Sequence, residues 1–250
     1  MQDCKPVATP LELGTKLLNN EGEPMNITKY QALIGALTYA VTATRPDLPQ
    51  ELSTVNQFCA NPSQSHWNAA KRILRYIKGT INHGICFHGK KESEVKLSRF
   101  VDADWGCDPN NRKSHSGYIF MICGGLVSWT SKKQSIVALS STEGEYVAAS
   151  QACQEAIWLR GLLHDLCFTQ KEPTIKEDNQ GAISLSNNQK YHPRTKHIGI
   201  KYHFIRDNVL KKEIALEYCT SQQMVADMLT KPLGKTVFQR MRSNMGVTNI

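Results

Sequence analysis

The pattern of apolar positions predicts a helical first part of the chain. Residues 30–48, YQALIGALTYAVTATRPDL, place Leu33, Leu37 and Ala40 on one helical face, and Pro46 ends the pattern. A second helix is indicated over ELSTVNQFCANP and stops near Pro62. We therefore expect helices that bury one face each and are joined by short connections.

A third helix is predicted over SQSHWNAAKRILRYIKGT. Its apolar residues at helical spacing are Trp67, Ala70, Leu74 and Ile77. The other flank carries four positive charges and no acid, from Lys71, Arg72, Arg75 and Lys78. This flank is suited to a phosphate backbone, and an ordinary solvated helix face explains it equally well.

Two segments without sustained periodicity divide the chain. Residues 1–28 contain Pro10, Gly14, Gly22 and Pro24 among polar residues, which indicates an extended or loosely attached lead-in. The polar run HGKKESEVK follows the helical part. We place a boundary near residue 95, giving a lead-in and helical region over 1–95 and a second domain over 96–250.

The second part has the pattern of an α/β domain. KLSRFV, GYIFMIC and LVSWT are short β-branched and aromatic runs separated by turn residues, which predicts an antiparallel meander. A long helix over STEGEYVAASQACQEAIWLRGLLHDL, a strand PTIKE, a short helix NQGAISLSNN and a strand EIALEYC follow, with further helix from Met224. The expected fold is a mixed five-stranded sheet flanked by helices.

Composition and charge narrow the function classes. The chain has 250 residues, 40% of them hydrophobic, enough to form a sizeable core. No run approaches the roughly 18 apolar residues of a membrane helix, so we expect an intracellular protein without a membrane partner. The eight cysteines show no C-x-x-C pair, which argues against structural zinc. The net charge of +8 favours polyanionic partners.

Four carboxylates fall where predicted strands end or helices begin. Asp102 follows the first strand, Glu145 lies in the first turn of the long helix, Asp178 ends PTIKE, and Asp227 sits in a helix after the last strand. Such acids often only cap helices, as Glu143 does in the capping box SSTE. If all four converge, their mutual repulsion implies hard cations such as Mg²⁺ or Mn²⁺.

Five motifs, in this order, carry a close resemblance to a known family. They are VDADWGCDPNNRKSHSGYIF, VSWTSKKQSIVALSSTEGEYVAAS, IKEDNQGAISLSNN, RTKHIGIKYHFIRD and VADMLTKPLG. Together they resemble the ribonuclease H region of copia-type LTR retrotransposon Pol polyproteins. Residues 30–80 resemble the segment that joins reverse transcriptase to this region, so the resemblance spans nearly the whole chain.

The resemblance implies a metal-dependent endonuclease. It assigns Asp102, Glu145, Asp178 and Asp227 as catalytic ligands of two Mg²⁺ or Mn²⁺ ions that promote hydrolysis of the RNA strand of an RNA–DNA hybrid. The implied partners are upstream reverse transcriptase and integrase parts, in a cytoplasmic virus-like particle or in the nucleus. No Y-x-D-D motif is present, so polymerase activity is not expected. The alternatives are a silent nucleic-acid-binding remnant and a support module for the polymerase.

Further basic residues are candidates for substrate contact. Lys132, Lys133, Arg194 and Lys196 are placed to bind phosphates, although each also fits ordinary surface charge. Many cellular ribonucleases H have a histidine shortly before the last acid, and EYCTSQQMVAD has none. His197, in RTKHIGIKYHF, is a candidate to approach the site from a loop, with local bonding to the backbone as the favoured interpretation.

Overall fold

The computed structural model describes residues 1, 3–19, 22–89, 96–168, 170, 174–187 and 199–250. The first part contains α1 (Ile27–Ala43), α2 (Pro49–Asn56), α3 (Gln64–Gly79) and β1 (His83–Ile85). The second part contains β2 (Leu97–Asp104), β3 (His115–Ile122), β4 (Gly125–Lys133), α4 (Ser141–Asp165), β5 (Thr174–Glu177), α5 (Gln180–Asn187), α6 (Gly199–Leu210), β6 (Ala215–Tyr218), a 3₁₀ turn (Val225–Leu229), α7 (Lys235–Asn244) and β7 (Val247–Asn249).

The central sheet has five strands in the order β4-β3-β2-β5-β6. β2, β3 and β4 form the antiparallel meander, whereas β5 pairs parallel to both β2 and β6. Helices pack on both faces, which confirms the predicted mixed sheet. This is the ribonuclease H-like fold, in which the ends of β2 and β5 lie side by side.

Side chains alternate between two hydrophobic clusters along the central strands. Val101 and Phe120 pack with α4 and α5 on one face. Ile119 and Met121 pack on the other face with α1–α3, the 3₁₀ turn and α7. β1 also pairs with β7 at the end of the chain, two short strands that the sequence pattern did not predict. The ranges 1–95 and 96–250 therefore share one core, and the boundary between them stays a prediction.

Several element limits differ from the sequence prediction. β2 continues to Asp104, so Asp102 lies inside the strand and not after it. The α1 prediction is right for Leu37, but the fully buried neighbours are Tyr30, Ile34 and Val41 instead of Leu33 and Ala40.

The predicted inward face of α3 is rotated by about one residue. Ala70 is buried as predicted, and so are His66, Ile73 and Tyr76, while the other predicted residues, Trp67, Leu74 and Ile77, are only partly buried. The buried His66 and Tyr76 are accommodated because their polar atoms have partners: His66 Nδ1 accepts a hydrogen bond from the Ser63 amide, and the Tyr76 hydroxyl donates to Asp47.

The lead-in is attached to α3, contrary to the expectation of a loose segment. Arg72 forms a 2.7 Å ion pair with Glu12, and Arg75 and Lys78 donate to the carbonyls of residues 5 and 4. Leu11 and Leu17 are buried in the core. Three of the four basic side chains of α3 are therefore engaged within the chain, and their assignment to nucleic acid remains a prediction.

A buried ion-pair network joins the two parts. Arg45 binds Asp47 at 2.8 Å, and the Tyr76 hydroxyl donates to the same carboxylate at 2.6 Å. Arg242 on α7 donates to the Tyr76 oxygen, and Phe238 packs edge-on against the Tyr76 ring. In the described part of the chain no helix is both long and apolar enough to cross a membrane.

Candidate metal centre

Three of the four predicted acids converge at one end of the sheet. Carboxylate oxygens of Asp102, Glu145 and Asp178 all lie within 4.8 Å of one another. They come from the middle sheet strand β2, the helix α4 and the residue directly after β5. Because β2 and β5 are parallel neighbours, their carboxyl ends place Asp102 and Asp178 together.

The backbone around Asp102 is shaped by a glycine on the next strand. Asp102 pairs with Gly117, and a β-carbon at Gly117 would lie 2.8 Å from Leu229 Cβ and 2.9 Å from Thr230 Cγ2. The absence of that carbon lets the 3₁₀ turn pack directly on the sheet. Thr230 then donates a hydrogen bond from its hydroxyl to Asp102 Oδ2.

Glu145 is positioned by the start of α4. The helix begins at Ser141, so Glu145 lies one turn in and not in the first turn as predicted. Ser140 caps the helix by accepting from the Glu143 amide, and Glu143 accepts from the Leu139 amide, which supports the structural role expected for Glu143. The predicted inward companions of Glu145, namely Ala149, Ala152, Ala156, Leu159 and Leu163, are all buried.

A buried glutamine fixes α4 against the sheet. Gln134 Nε2 donates to the carbonyl of Gly144 and to the hydroxyl of Ser116, each at 2.8 Å. Gly144 is the neighbour of Glu145, and Ser116 is the neighbour of Gly117 on β3. Gln134 is thus a positioning residue that sequence reasoning did not identify.

Asp178 and Asn179 have separate tasks. Asp178 Oδ2 accepts a 2.7 Å hydrogen bond from Ser221, which follows β6. Asn179 Oδ1 accepts from the Ala182 amide and so caps α5. The D-N-Q motif therefore supplies an acid of the cluster and a helix cap at adjacent positions.

Asp227 lies beside the group of three acids but outside it. The 3₁₀ turn carries it to the Asp102 side, where its charge acts on Asp102. Its Oδ1 forms a 2.8 Å ion pair with Lys231, four residues later. The predicted fourth ligand is therefore near the other three and is held by a lysine.

The electrostatics of the site disfavour charge on the acids. Burial, with the charge of Asp227, raises the pKa of Asp102 to about 7. Burial, with the charges of Glu177, Asp102 and Asp178, raises the pKa of Glu145 to about 11. Burial also raises the pKa of Glu177 well above its usual range. The protein alone does not compensate these carboxylates.

These residues fit a divalent cation. Glu145 Oε2 is buried and accepts no hydrogen bond from any described residue. The donors are carboxylate oxygens, which Mg²⁺ and Mn²⁺ prefer. A cation between Asp102, Glu145 and Asp178 would supply the missing positive charge and would reverse the pKa shifts.

The predicted phosphate contacts are only partly described. Lys132 is exposed on β4, whereas Lys133 is paired with Asp108 at 2.7 Å. Arg194, Lys196 and His197 lie outside the described residues. Lys71 lies over the Trp67 ring, with Nζ 6.0 Å from its centre.

Three residues near the acids were missed from sequence. Thr230 and Lys231 follow Asp227 in the motif VADMLTKPLG, and the spacing of four between Asp227 and Lys231 was the available signal. Burial lowers the pKa of Lys231, but Asp102 and Asp227 outweigh burial and the net shift is upward. Glu177 gave no signal, because it resembles an ordinary strand residue.

The chain is similar to long polyproteins over nearly its full length. It is 41% identical over 254 residues to the retrovirus-related Pol polyprotein from transposon TNT 1-94 of Nicotiana tabacum, an alignment covering 99% of this chain and 19% of that protein. It is 38% identical over 252 residues to the corresponding protein from transposon RE2 of Arabidopsis thaliana, covering 100% of this chain and 17% of that protein. The chain thus spans less than a fifth of these relatives.

Two further similarities are partial. Secreted RxLR effector protein 161 of Plasmopara viticola is 47% identical over 135 residues, covering 54% of this chain and 94% of that protein. The N-terminal RNase H domain of rv2228c from Mycobacterium tuberculosis aligns with a TM-score of 0.40 at 11% identity, covering 60% of this chain and 97% of that chain. No family model matches. The similarity over nearly the whole of this chain, together with the ordered motifs and the ribonuclease H-like fold, shows that the chain belongs to the copia-type retrotransposon Pol polyproteins.

Proposed function

We propose that this chain is a ribonuclease H that cuts the RNA strand of RNA–DNA hybrids. The observation that carries the proposal is the convergence of Asp102, Glu145 and Asp178 within 4.8 Å, with Asp227 beside them. A largely buried group of acids with a single lysine beside it is costly for folding alone. Its presence is explained if the acids serve to bind cations.

The four acids would hold Mg²⁺ or Mn²⁺. Such ions lower the pKa of bound water and stabilise the leaving oxygen of a phosphodiester. The residues of the chain orient this chemistry: Thr230 fixes the Asp102 carboxylate, Ser221 fixes that of Asp178, and Gln134 fixes the helix that carries Glu145. Lys231 holds the Asp227 carboxylate in place, since the two form an ion pair.

Substrate selection would follow from the backbone and not from base sequence. Selectivity for RNA is expected through contacts to 2′-hydroxyl groups in the hybrid minor groove. In-line hydrolysis would leave a 5′ phosphate and a 3′ hydroxyl. The upstream reverse transcriptase and integrase of the polyprotein are the proposed partners, since the relatives are named as Pol polyproteins.

Two acids on α4 provide a matched test. Glu145→Gln removes a cluster oxygen, whereas Glu143→Gln, two residues earlier, keeps an oxygen for the Leu139 amide. With a labelled hybrid, duplex DNA and duplex RNA in Mg²⁺, we expect only the hybrid to be cut. Glu145→Gln should lower the rate by at least about 100-fold, while Glu143→Gln stays within a few-fold of the parent. Binding of the hybrid without cutting in either metal would favour the silent binding remnant.

A further inference from the structure

An exposed tryptophan lies at the edge of the acid cluster. Trp105 directly follows β2, three residues after Asp102, so its Cα is within about 10 Å of that of Asp102. The side chain is 50% exposed, although its indole Nε1 donates a 2.9 Å hydrogen bond to the Ala138 carbonyl. The hydrogen bond to Ala138 therefore holds the exposed indole ring in place at the surface.

Apolar neighbours extend this surface. Val137 and Leu139 flank Ala138 and are 47% and 75% exposed. Leu139 is itself tied to the start of α4, because its amide donates to Glu143, two residues before Glu145. Trp105, Val137 and Leu139, here called the tryptophan patch, therefore sit on the two segments that carry Asp102 and Glu145.

The loop beyond the patch is positively charged. It connects β2 and β3 over residues 105–114, all of which are described, and contains Arg112 and Lys113. Its one acid, Asp108, is already paired with Lys133. A β-carbon at Gly106 would lie 3.9 Å from the Arg112 guanidinium, so this cation lies beside the backbone of the residue that follows Trp105. An exposed aromatic ring, near cations that form no ion pair with any described acid, matches a nucleotide. Its base or sugar would pack on the ring while its phosphate meets the cations.

We infer that the tryptophan patch binds a nucleotide of the hybrid next to the scissile phosphate, with Trp105 as the contacting ring and Arg112 as the adjacent phosphate contact. This inference rests on the proposed function, because the acids define where the scissile phosphate lies. It adds a nucleotide-contacting surface that positions the strand over the metal centre. The role of Trp105 is binding and not chemistry.

The test uses two exposed tryptophans. Trp158 is 60% exposed on the same helix as Glu145, about 20 Å further along its axis, and serves as the control. In an Asp178→Asn background that does not cut, the affinity for a labelled RNA–DNA hybrid is measured by fluorescence anisotropy. Trp105→Ala should weaken binding by about 5- to 100-fold, the range of base–aromatic stacking. Trp105→Phe should weaken it less, and Trp158→Ala should leave it unchanged.

A second readout does not depend on cutting. Hybrid binding should quench tryptophan fluorescence in the Asp178→Asn chain, and Trp105→Phe but not Trp158→Phe should remove most of the quenching. In the cutting-competent chain, Trp105→Ala should raise KM more than it lowers kcat. Unchanged circular dichroism and melting of the Trp105 variants check their fold.

The outcomes separate the two proposals. If the parent binds and cuts hybrid but Trp105→Ala binds it equally well, the inference about the patch is wrong and the nuclease stands. If Trp105→Ala instead changes self-association and not hybrid affinity, the patch contacts protein and the inference is again wrong. If the parent neither binds nor cuts hybrid, both proposals fail.

Discussion

Gly117 on β3 lies directly opposite Asp102 on β2, and its missing side chain is what brings the 3₁₀ turn onto the sheet at this point. The turn carries Asp227, and Thr230 at its end donates to Asp102. The metal centre therefore depends on a close backbone approach as well as on its acids.

Gly117→Ala should displace this turn. The new β-carbon would lie 2.8 Å from Leu229 Cβ and 3.3 Å from the Ala226 carbonyl, and both belong to the turn and not to a flexible side-chain end. We expect a loss of about 1–3 kcal/mol in the free energy of unfolding, measured by urea denaturation. Hybrid cleavage should fall together with stability.

Gly161→Ala is the matched control for that substitution. Gly161 lies on α4, where an added β-carbon meets no atom within 4 Å. Alanine should stabilise the helix there by up to about 1 kcal/mol and leave cleavage unchanged. Equal stability of the Gly117→Ala chain and the parent would show that the turn is not held by this contact.

Asp102→Asn should stabilise the metal-free protein. Burial and the charge of Asp227 raise the pKa of Asp102 to about 7, so a neutral amide removes a destabilising charge. In EDTA at neutral pH we expect a gain of about 2 kcal/mol, read from thermal melting. Mn²⁺ should raise the melting temperature of the parent and have a smaller effect on the variant. A variant less stable than the parent in EDTA would contradict this account of the cluster.

The free energy of unfolding at acid pH should depend on the protonation of His115. Its Nε2 lies 2.9 Å from the Ser131 hydroxyl, and burial, reinforced by Lys133 and opposed by Asp108, lowers its pKa to about 4. In the unfolded chain the imidazole of His115 binds a proton below about pH 6.5, whereas in the folded chain it stays neutral down to about pH 4. The folded state therefore keeps its full stability above about pH 6.5 and loses stability as the pH falls towards 4. The loss reaches about 3 kcal/mol.

His115→Gln should flatten this pH dependence. Urea denaturation between pH 7 and pH 4, about the range of the titration, should show a smaller decline for the variant than for the parent. His164→Gln, at an exposed position of α4, is the control and should reproduce the parent profile. Parallel profiles for the parent and His115→Gln would refute the assignment.

The buried ion pair between Arg45 and Asp47 should contribute far more to the free energy of unfolding than the surface ion pair between Arg72 and Glu12. Asp47→Asn leaves the buried Arg45 guanidinium without its counter-charge and weakens the acceptor of Tyr76, at an expected cost of about 3–5 kcal/mol. Glu12→Gln breaks the pair with Arg72, in which the glutamate side chain is exposed, and should cost less than about 1 kcal/mol. Similar unfolding midpoints for the two variants would contradict the role of the network.

The mixed five-stranded sheet was predictable because three apolar runs follow one another as a meander before helices and strands alternate. The order in which its strands pair was not predicted. Predicted β2 ended at Val101 because acids are rare in strands, yet the alternation continues: Val101 and Ala103 pack against α4, and Asp102 and Asp104 lie on the other face. One of the acids that made the strand hard to recognise, Asp102, belongs to the site.

Contacts between distant segments could not be predicted from local pattern. The lead-in contacts α3 through the Glu12 side chain and through backbone carbonyls. The strands β1 and β7 pair although more than 150 residues separate them in the sequence. Three-residue strands carry too little pattern to recognise. The group of Asp102, Glu145 and Asp178 was predictable from motif order. For the ion pair between Lys231 and Asp227, the spacing of four residues was a signal, but it did not show that the 3₁₀ turn would bring the pair beside Asp102.

The most direct test of the central claim is metal-dependent cleavage of a labelled RNA–DNA hybrid by the parent chain and by Asp178→Asn. Asp178 is the most accessible member of the cluster and keeps its Ser221 partner as asparagine, so the variant should remain folded. We predict cutting of the RNA strand in Mg²⁺ or Mn²⁺, abolished by EDTA and reduced at least about 100-fold in the variant. Cleavage that persists in Asp178→Asn, or hybrid that stays intact with the folded parent in both metals, would contradict the account.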